Sequence, residues 1–335
     1  VTETVCRNVG LRVRRIVTGA ELAQFGPEEL AETVQTCDVF VKLSPAQKEL
    51  IVRELRRCGH VVGFMGDGIN DAPALKAADV GISVDSGVDV AKEAADIVLL
   101  EKSLLVLEEG IMEGRRVFAN IVKYIRMGSS SNFGNMFSVI GASCLLPFLP
   151  MLPVQILANN LLYDFSQTGI PTDDVDEELI THPLKWDIAN IKRFMLFIGP
   201  ISSLFDYATF ALMWFFFHCS DFLAPATGPQ QQEHLARLFQ TGWFVESLLT
   251  QTLIVHIIRT RRIPFFQSSA SLSMTLTTLI VMAVGSWLPY SPFAEALGLE
   301  PLPAIYWAWI AGFLACYAAI THGVKTWFFH RYRGN

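Results

Sequence analysis

The sequence predicts an α/β domain followed by an all-α bundle of six membrane-spanning helices. Three observations carry this. Residues 1 to about 112 alternate Val- and Ile-rich runs with helical patterns. From about Met127 the chain is apolar in stretches of roughly 20 residues, the length that crosses a hydrocarbon core. Charge is uneven: 17% of residues are charged and 51% hydrophobic, mean hydropathy is +0.37, and the charges gather before about Arg126. A length of 335 residues accommodates two domains.

The first part reads as five short strands, in "RVRRIVTG" (12–19), "VFVKL" (39–43), "HVVGFMGD" (60–67), "VGISV" (80–84) and "DIVLL" (96–100). Between them lie the helical segments "GPEELAETVQ", "SPAQKELIVRELRRCG" and "NDAPALKAAD". Ser44 before Pro45 is a helix N-cap with proline at the first helical position. Strand–helix alternation of this kind predicts a parallel, doubly wound sheet with its ligand site beyond the carboxyl ends of the strands. Asp67 falls at such an end.

From Leu104 a helical pattern runs with no strong breaker before Pro147, so residues 104–126 read as a stalk and 127–335 as the membrane domain. The six spans are placed at about 127–147, 153–171, 194–217, 239–258, 272–289 and 303–323. Under this count Lys192 and Arg193, then Arg259, Arg261 and Arg262, then Lys325, Arg331 and Arg333 share one side with the soluble domain. The positive-inside rule makes that side cytoplasmic.

The formal net charge of -6 and the absence of a long basic run argue against a nucleic-acid partner. Six scattered cysteines without C-x-x-C spacing read as reduced, buried thiols, with no disulfide framework or zinc site. The chain opens on Val1 without a signal peptide, and is expected to be a piece of a longer polypeptide.

Two groups of residues carry candidate chemistry. In "GDGIND", Asp67 ends a strand beside glycines that admit close backbone approach, and suits Mg²⁺, a hard cation wanting oxygen ligands. Asn70 is positioned to orient phosphate oxygens, and Asp71 to support the metal shell. An ordinary Asp-Gly turn is the bland alternative. Lys48, in the first turn of the helix after "KLSP", offers an ammonium for phosphoryl charge, or is simply a solvated lysine.

Polar groups inside a membrane are costly and mark function by default. "SSSNFGN" puts Asn132 and Asn135 three apart on one helix face, and "NNLLYDFSQ" puts Asn160 and Asp164 four apart on another. If those faces meet, they supply oxygens for a hard cation; interhelical hydrogen bonding is the alternative, favoured for Asn135 alone. Asp206 and Glu246 are equally compatible with function and with pairing to a neighbouring span. The five carboxylates of "TDDVDEELITHP" (172–183) read as a solvated loop, with a landing zone for departing cations as the weaker hypothesis.

These residues also carry a family resemblance. "MGDGINDAPALKAADVGISV", with upstream "KLSPAQKELIV", resembles the hinge and phosphate-site signature of P-type ATPases, which belong to the haloacid-dehalogenase superfamily. "SSNFGN" and "NNLLYDFSQ" resemble the ion-binding stretches of their fifth and sixth membrane helices. "LPFLPMLP", "GPISSLFDYATF" and "GWFVESLLTQTLIVHIIRTRRIPF" are similar to the bacterial magnesium-importing branch.

The resemblance implies a haloacid-dehalogenase-like (Rossmann-like) half-domain, with residues 1–103 the carboxyl-terminal part of a phosphorylation domain. It implies ATP as substrate and an aspartyl-phosphate cycle. It also implies catalytic Mg²⁺ at Asp67 and Asp71, Lys48 and Asn70 at the phosphate, and Thr18-Gly19 beside the nucleotide–phosphorylation hinge. Asn132, Asn135, Asn160 and Asp164 fall where family members hold the transported ion, here expected to be Mg²⁺ imported across a bacterial inner membrane.

Asn135 stands where calcium pumps commonly carry glutamate. The Asp-Lys-Thr-Gly motif of the phosphorylated aspartate does not occur, nor do counterparts of the nucleotide-binding domain, the actuator domain and the first four membrane helices. These are expected from the missing amino-terminal part of the same polypeptide. A calcium or manganese P-type ATPase, a membrane-anchored phosphatase of the same superfamily and a non-catalytic membrane regulator are the rival readings.

Overall fold

The structure, a computed structural model, describes residues 2–8, 10, 12–101, 103–184 and 186–332. Arg333 of the basic cluster lies outside the described residues. Two compact units emerge, Val1–Ile111 and Met112–Asn335.

The first unit opens with α1 (Thr2–Asn8), β1 (Ile16–Thr18), α2 (Gly19–Leu22), α3 (Pro27–Thr36), β2 (Val39–Val41) and α4 (Pro45–Arg57). It continues through β3 (Gly63–Met65), α5 (Ala72–Ala77), β4 (Val80–Val84), α6 (Asp89–Ala94) and β5 (Ile97–Leu99). All five expected strands form and all pair in parallel. They do not make one sheet. β1 pairs with β2, while β3, β4 and β5 form a separate group in that order. Local sequence yields the strands, but which edges meet is a long-range matter, and β1 and β3 have no mutual partner among the described residues.

Capping residues set the helix starts that matter. Ser44 Oγ accepts the Gln47 N–H at 3.3 Å, and Gln47 Oε1 accepts the Ser44 N–H at 2.9 Å, a reciprocal capping box over Pro45. This fixes α4 at the turn that carries Lys48. The apolar face of α4 is split: Ile51 packs with Val17, Leu22, Leu30 and Val34, and Val52 with Ala74 and Ala77.

The second unit is helical: most of α7 (Leu104–Leu145), then α8 (Pro153–Gln167), α9 (Glu177–Ile180) and α10 (Ile188–Ala211), which runs on in a wider turn over Leu212–Phe216. α11 (Pro229–Ile258), α12 (Leu272–Trp287) and α13 (Ala304–Arg331) complete it. Pro200 does not interrupt α10. Helix α11 is buried along nearly all of Leu238–Ile258, on the side of α8, α10, α12 and α13. Around it the outward residues are large and apolar, such as Leu145, Phe215 and Leu272, exposed by 80%, 74% and 75%. An inside-out exposure of this kind suits a lipid solvent rather than water.

Among the described residues, four helices are long and apolar enough to cross a membrane by length and composition: Ile188–Phe216, Pro229–Ile258, Leu272–Tyr290 and Ala304–Arg331. The remaining two expected spans fall on the second half of α7, which carries the polar run Ser129–Asn132, and on α8. With 15 residues, α8 is about 22 Å long.

The acidic loop differs from the expected solvated one. Asp173 is 5% exposed and lies between two buried cations. Its Oδ2 accepts Lys123 Nζ at 2.9 Å and Arg259 Nε at 2.9 Å, and its Oδ1 accepts the Ser271 N–H at 3.2 Å. Asp176 binds Thr260 Oγ1 at 2.6 Å and Ser268 Oγ at 3.0 Å. Its partial burial pulls the Asp176 carboxyl upward, but those hydroxyls and the Arg261 N–H hold it below the usual carboxylate range.

The loop is therefore a structural clasp joining α7 to the end of α11. Several of the basic residues counted for orientation have structural partners as well, among them Arg259 in this clasp, Arg262 on Glu178 at 3.2 Å, and Lys325, whose Nζ donates to the carbonyls of Ile257, Thr260 and Arg262 beyond α11. The six cysteines are free thiols, with Cys144 and Cys316 exposed rather than buried, on outward faces of α7 and α13.

Candidate functional site

Two places in the molecule gather the expected residues. In the first unit, the β3 strand ends at Met65, and the chain turns through Gly66, Asp67 and Gly68 into α5. The turn is tight enough to demand glycine. A Cβ on Gly66 would stand 2.4 Å from the Asp71 Cβ and 2.7 Å from its Cγ.

Asp71, 9% exposed, is clamped on both oxygens. Lys48 Nζ donates to Oδ1 at 2.7 Å, and the Gly68 N–H to Oδ2 at 3.1 Å. Burial works to raise the Asp71 carboxyl, but the Lys48 ammonium and the Gly68 N–H outweigh it and hold it below the usual carboxylate range. Lys48 is thus not simply a solvated lysine: its ammonium is paired with Asp71.

Asp67 itself is exposed and lines an open depression of about 410 Å³ with Met65, Gly66, Val84, Leu99 and Ser103. Its carbonyl accepts the Val88 N–H at 3.0 Å, which fixes the turn to the start of α6. Asn70 is exposed beside it. Thr18 caps α2 through a reciprocal pair of bonds with Glu21. The carbonyl of Gly19 accepts Gln47 Nε2 at 2.6 Å, one residue from Lys48. A Cβ on Gly19 would meet the Lys42 carbonyl oxygen at 2.5 Å, so this approach also needs glycine. Thr18-Gly19 and Lys48 thus share one corner, joined through Gln47, while Lys48 reaches the Asp67 turn through Asp71.

In the bundle, Asn132, Asn135 and Asn160 line one groove of about 240 Å³, together with Asn159, Trp243 and Ser247. Asp164 does not line it. The carboxylate expected at mid-span stands on the exposed side of α8, with Leu157 and Leu161, while Asn159, Tyr163 and Gln167 take the buried side. A helix repeat puts Asn160 and Asp164 on one face but leaves open which way that face points.

Asn159 was not singled out by the sequence, although it is 3% exposed and its Oδ1 has no partner among the described residues. The adjacent Asn-Asn pair was the available signal. Gln251 was missed too: its Nε2 donates to Asn135 Oδ1 at 3.2 Å and to Ser247 Oγ at 2.6 Å. No group of three or more acidic, His or Cys side chains arranged for a metal occurs among the described residues. Any cation in this groove would meet mainly amide oxygens, which suit hard ions.

Residues 148–327, more than half of the chain, match the family model described as "Cation transporting ATPase, C-terminus". The chain belongs to the cation-transporting ATPase family. It is an integral membrane protein with a helical membrane part.

Among the relatives of this cation-transporting ATPase chain is the magnesium-transporting ATPase, P-type 1, of Escherichia coli K12, 56% identical over 332 residues. The match covers 99% of this chain and 36% of that protein. The protein of the same name from Salmonella typhimurium strain LT2 is 54% identical over the same share. A probable cation-transporting ATPase F of Mycobacterium tuberculosis H37Rv is 38% identical over 180 residues, 50% of this chain and 20% of that protein. The ATPase chain described here thus spans 36% of the length of the magnesium-transporting relatives it matches.

Proposed function

We propose that this chain is the carboxyl-terminal part of an ATP-driven pump that imports Mg²⁺ into the cytoplasm through an aspartyl-phosphate cycle. The observation that carries the reading is the extent of the similarity to the magnesium-transporting ATPases. It covers 99% of this chain, through both the α/β unit and the bundle, so the clamped Lys48–Asp71 turn and the asparagine groove belong to one machine.

The first unit is read as a haloacid-dehalogenase-like half-domain, residues 1–103. Its two parallel strand groups leave one edge each of β1 and β3 without a partner among the described residues. A strand from the rest of the polypeptide, bearing the phosphorylated aspartate, would complete the sheet. Residues 104–126 are the stalk and 127–335 the six-span membrane domain, with the soluble unit and the last basic residues on the cytoplasmic side of a bacterial inner membrane.

In this reading Lys48 faces the acyl phosphate, and Asp71 holds it there. The pair keeps the ammonium fixed in place, so little reorganisation is needed as phosphoryl charge spreads over its oxygens. The donor set suits a catalytic Mg²⁺: Asp67 offers one carboxylate at an open depression, and this ion keeps several waters and takes its remaining ligands from phosphate. Bound there, Mg²⁺ would neutralise phosphoryl charge. Asp71, with both oxygens engaged, orients Lys48 and the Gly68 turn rather than contacting the ion. Asn70 is available to phosphate oxygens, and Thr18-Gly19 borders the nucleotide side.

The transported Mg²⁺ is assigned to Asn132, Asn135, Asn160 and Asp164. The exposed side of α8, with Met136 of α7 beside the groove, is where helices from the rest of the polypeptide would enclose Asp164. Helix α7, continuous from Leu104 to Leu145, carries Asn132 and Asn135 on the same rod as the stalk.

The test is ATP hydrolysis by the full-length protein against a panel of Mg²⁺, Ca²⁺ and Mn²⁺. Asp164→Asn is expected to abolish ion-dependent turnover, and Asp67→Asn to abolish metal-dependent phosphoenzyme formation. Wild-type ion dependence in the Asp164 variant would remove the membrane assignment, and a wild-type phosphoenzyme in the Asp67 variant the soluble one.

A further inference from the structure

The segment 259–271, which joins α11 to α12, holds an apolar tip away from the protein. Phe266 is 91% exposed, and Ile263 and Phe265 are exposed beside it. A loop meant only for water has no use for three large apolar side chains in a row of four residues.

The turn is built to keep that tip out. Arg259, itself buried, donates to the Ser268 carbonyl at 3.1 Å, to Ser268 Oγ at 3.0 Å and to the Ser269 carbonyl at 2.7 Å. Inside the turn the Phe265 N–H donates to the Ser268 carbonyl at 3.2 Å, and the Gln267 N–H to the Ile263 carbonyl at 3.0 Å. Gln267 Oε1 accepts the Ile263 N–H at 3.1 Å. Phe265 has a φ of 65°, a left-handed conformation that is costly for a bulky side chain. One face of its ring stacks on His256 of α11 with centroids 5.3 Å apart, and His256 Nε2 is 2.8 Å from Thr278 Oγ1 of α12. Phe265 therefore seats the turn on the seam between α11 and α12, and the backbone strain directs Phe266 outward.

The level of the turn along the bundle identifies what it faces. Trp309 and Trp327, each about half-exposed, stand 18 residues apart on α13, roughly 27 Å. That is close to the roughly 30 Å of a hydrocarbon core, and tryptophans gather at both of its borders. The turn belongs to the Trp327 border. Lys325 Nζ, two residues before Trp327, donates to the Arg262 carbonyl at 3.1 Å, and the Arg261 guanidinium lies 4.9 Å over the Phe329 ring. Half-exposed Trp186 lines one cavity with Arg261 and Phe329, at the same border. Beyond the turn, Leu272, Leu276 and Leu279 continue as an exposed apolar stripe on one face of α12. The tip is thus continuous with a lipid-facing surface and level with an aromatic belt.

We propose that the 263–267 turn is an interfacial anchor: Phe266, with Ile263, enters the boundary between headgroups and acyl chains and fixes the depth of the α11–α12 pair. The partner is the bilayer, met through its apolar layer rather than through headgroup charge. Arg262 is already paired with Glu178 at 3.2 Å. The anchor requires that the bundle spans a membrane and is independent of which ion is carried.

The full-length protein carrying p-benzoylphenylalanine in place of Phe266, in nanodiscs of phosphatidylcholine alone, tests the partner. After irradiation, mass spectrometry of the peptide containing position 266 should show lipid adducts as the main crosslinked product. Adducts mainly to another segment of the polypeptide would overturn the proposal, because a protein surface would then cover the tip. A second variant, Phe266→Trp, separates lipid from water. Its added emission over wild type should lose most of its intensity to phospholipids brominated near the headgroup end of their acyl chains, and little to iodide. Quenching by iodide and not by the brominated lipids would equally overturn the anchor. Both replacements keep an aromatic ring at an exposed position, so neither disturbs the buried contacts that hold the turn.

Discussion

Asp173→Asn is the most informative single perturbation of the bundle. The carboxylate lies between Lys123 and Arg259, with side-chain exposures of 1%, 6% and 2% respectively. Replacing it with the isosteric amide keeps the volume but leaves two buried cations without a counter-charge and turns an N–H₂ towards one of them. Breaking a buried ion pair from one side costs about 3–5 kcal/mol. At roughly 2–4 °C per kcal/mol for a unit of this size, the midpoint should fall by roughly 6–20 °C.

The geometry also predicts an order. Lys123→Met removes one cation and leaves the Asp173–Arg259 pair neutral and bonded, so its cost should be clearly smaller. Thermal unfolding of the two variants in the same nanodiscs, followed by tryptophan fluorescence, measures both. Equal shifts, or a larger shift for Lys123→Met, would refute the view that Asp173 is the charge centre of the clasp.

Three further outcomes follow from the same contacts. Gly66→Ala drives a methyl into Asp71 at 2.4 Å, so it should cost about 1–3 kcal/mol and weaken the Lys48 pair; unfolding of the intact chain would show it. Asp71, held below the usual carboxylate range, stabilises the fold at neutral pH and loses that contribution as pH falls from that range through its depressed value. The stability gap between wild type and Asp71→Asn should therefore be flat at higher pH and close on acidification, which denaturant titrations at several pH values would read. Gly134→Val places carbon within 2.0 Å of Ser202 Oγ and 2.8 Å of the Gly199 carbonyl; it should force α7 from α10, and be visible as a lowered melting temperature.

Much of the fold was legible because it is written in short-range periodicity. The five strands appear where Val and Ile run between turn residues, and Ser44-Pro45 starts α4 as its chemistry requires. The site was legible in part. Asp67 lies in the turn just beyond its strand, and Lys48 lies in its helix's first turn. Asn132, Asn135 and Asn160 share a groove. What failed was orientation and partner choice. Asp164 faces outward because the azimuth of a helix is set by what packs against it. The 172–183 loop holds a buried aspartate because its cations come from α7 and from the end of α11, 50 and 86 residues away along the chain.

Residue order alone determined the elements, the apolar stretches and the motifs that tie this chain to cation-transporting ATPases, since each depends on neighbours within a turn or two. Tertiary structure alone decided that Lys48 grips Asp71, that Asp173 is a clasp, and that buried Asp206 accepts from Ser138 and Trp243. Those choices bring together charges from distant segments, and only folding sets the distance and burial that govern their energy.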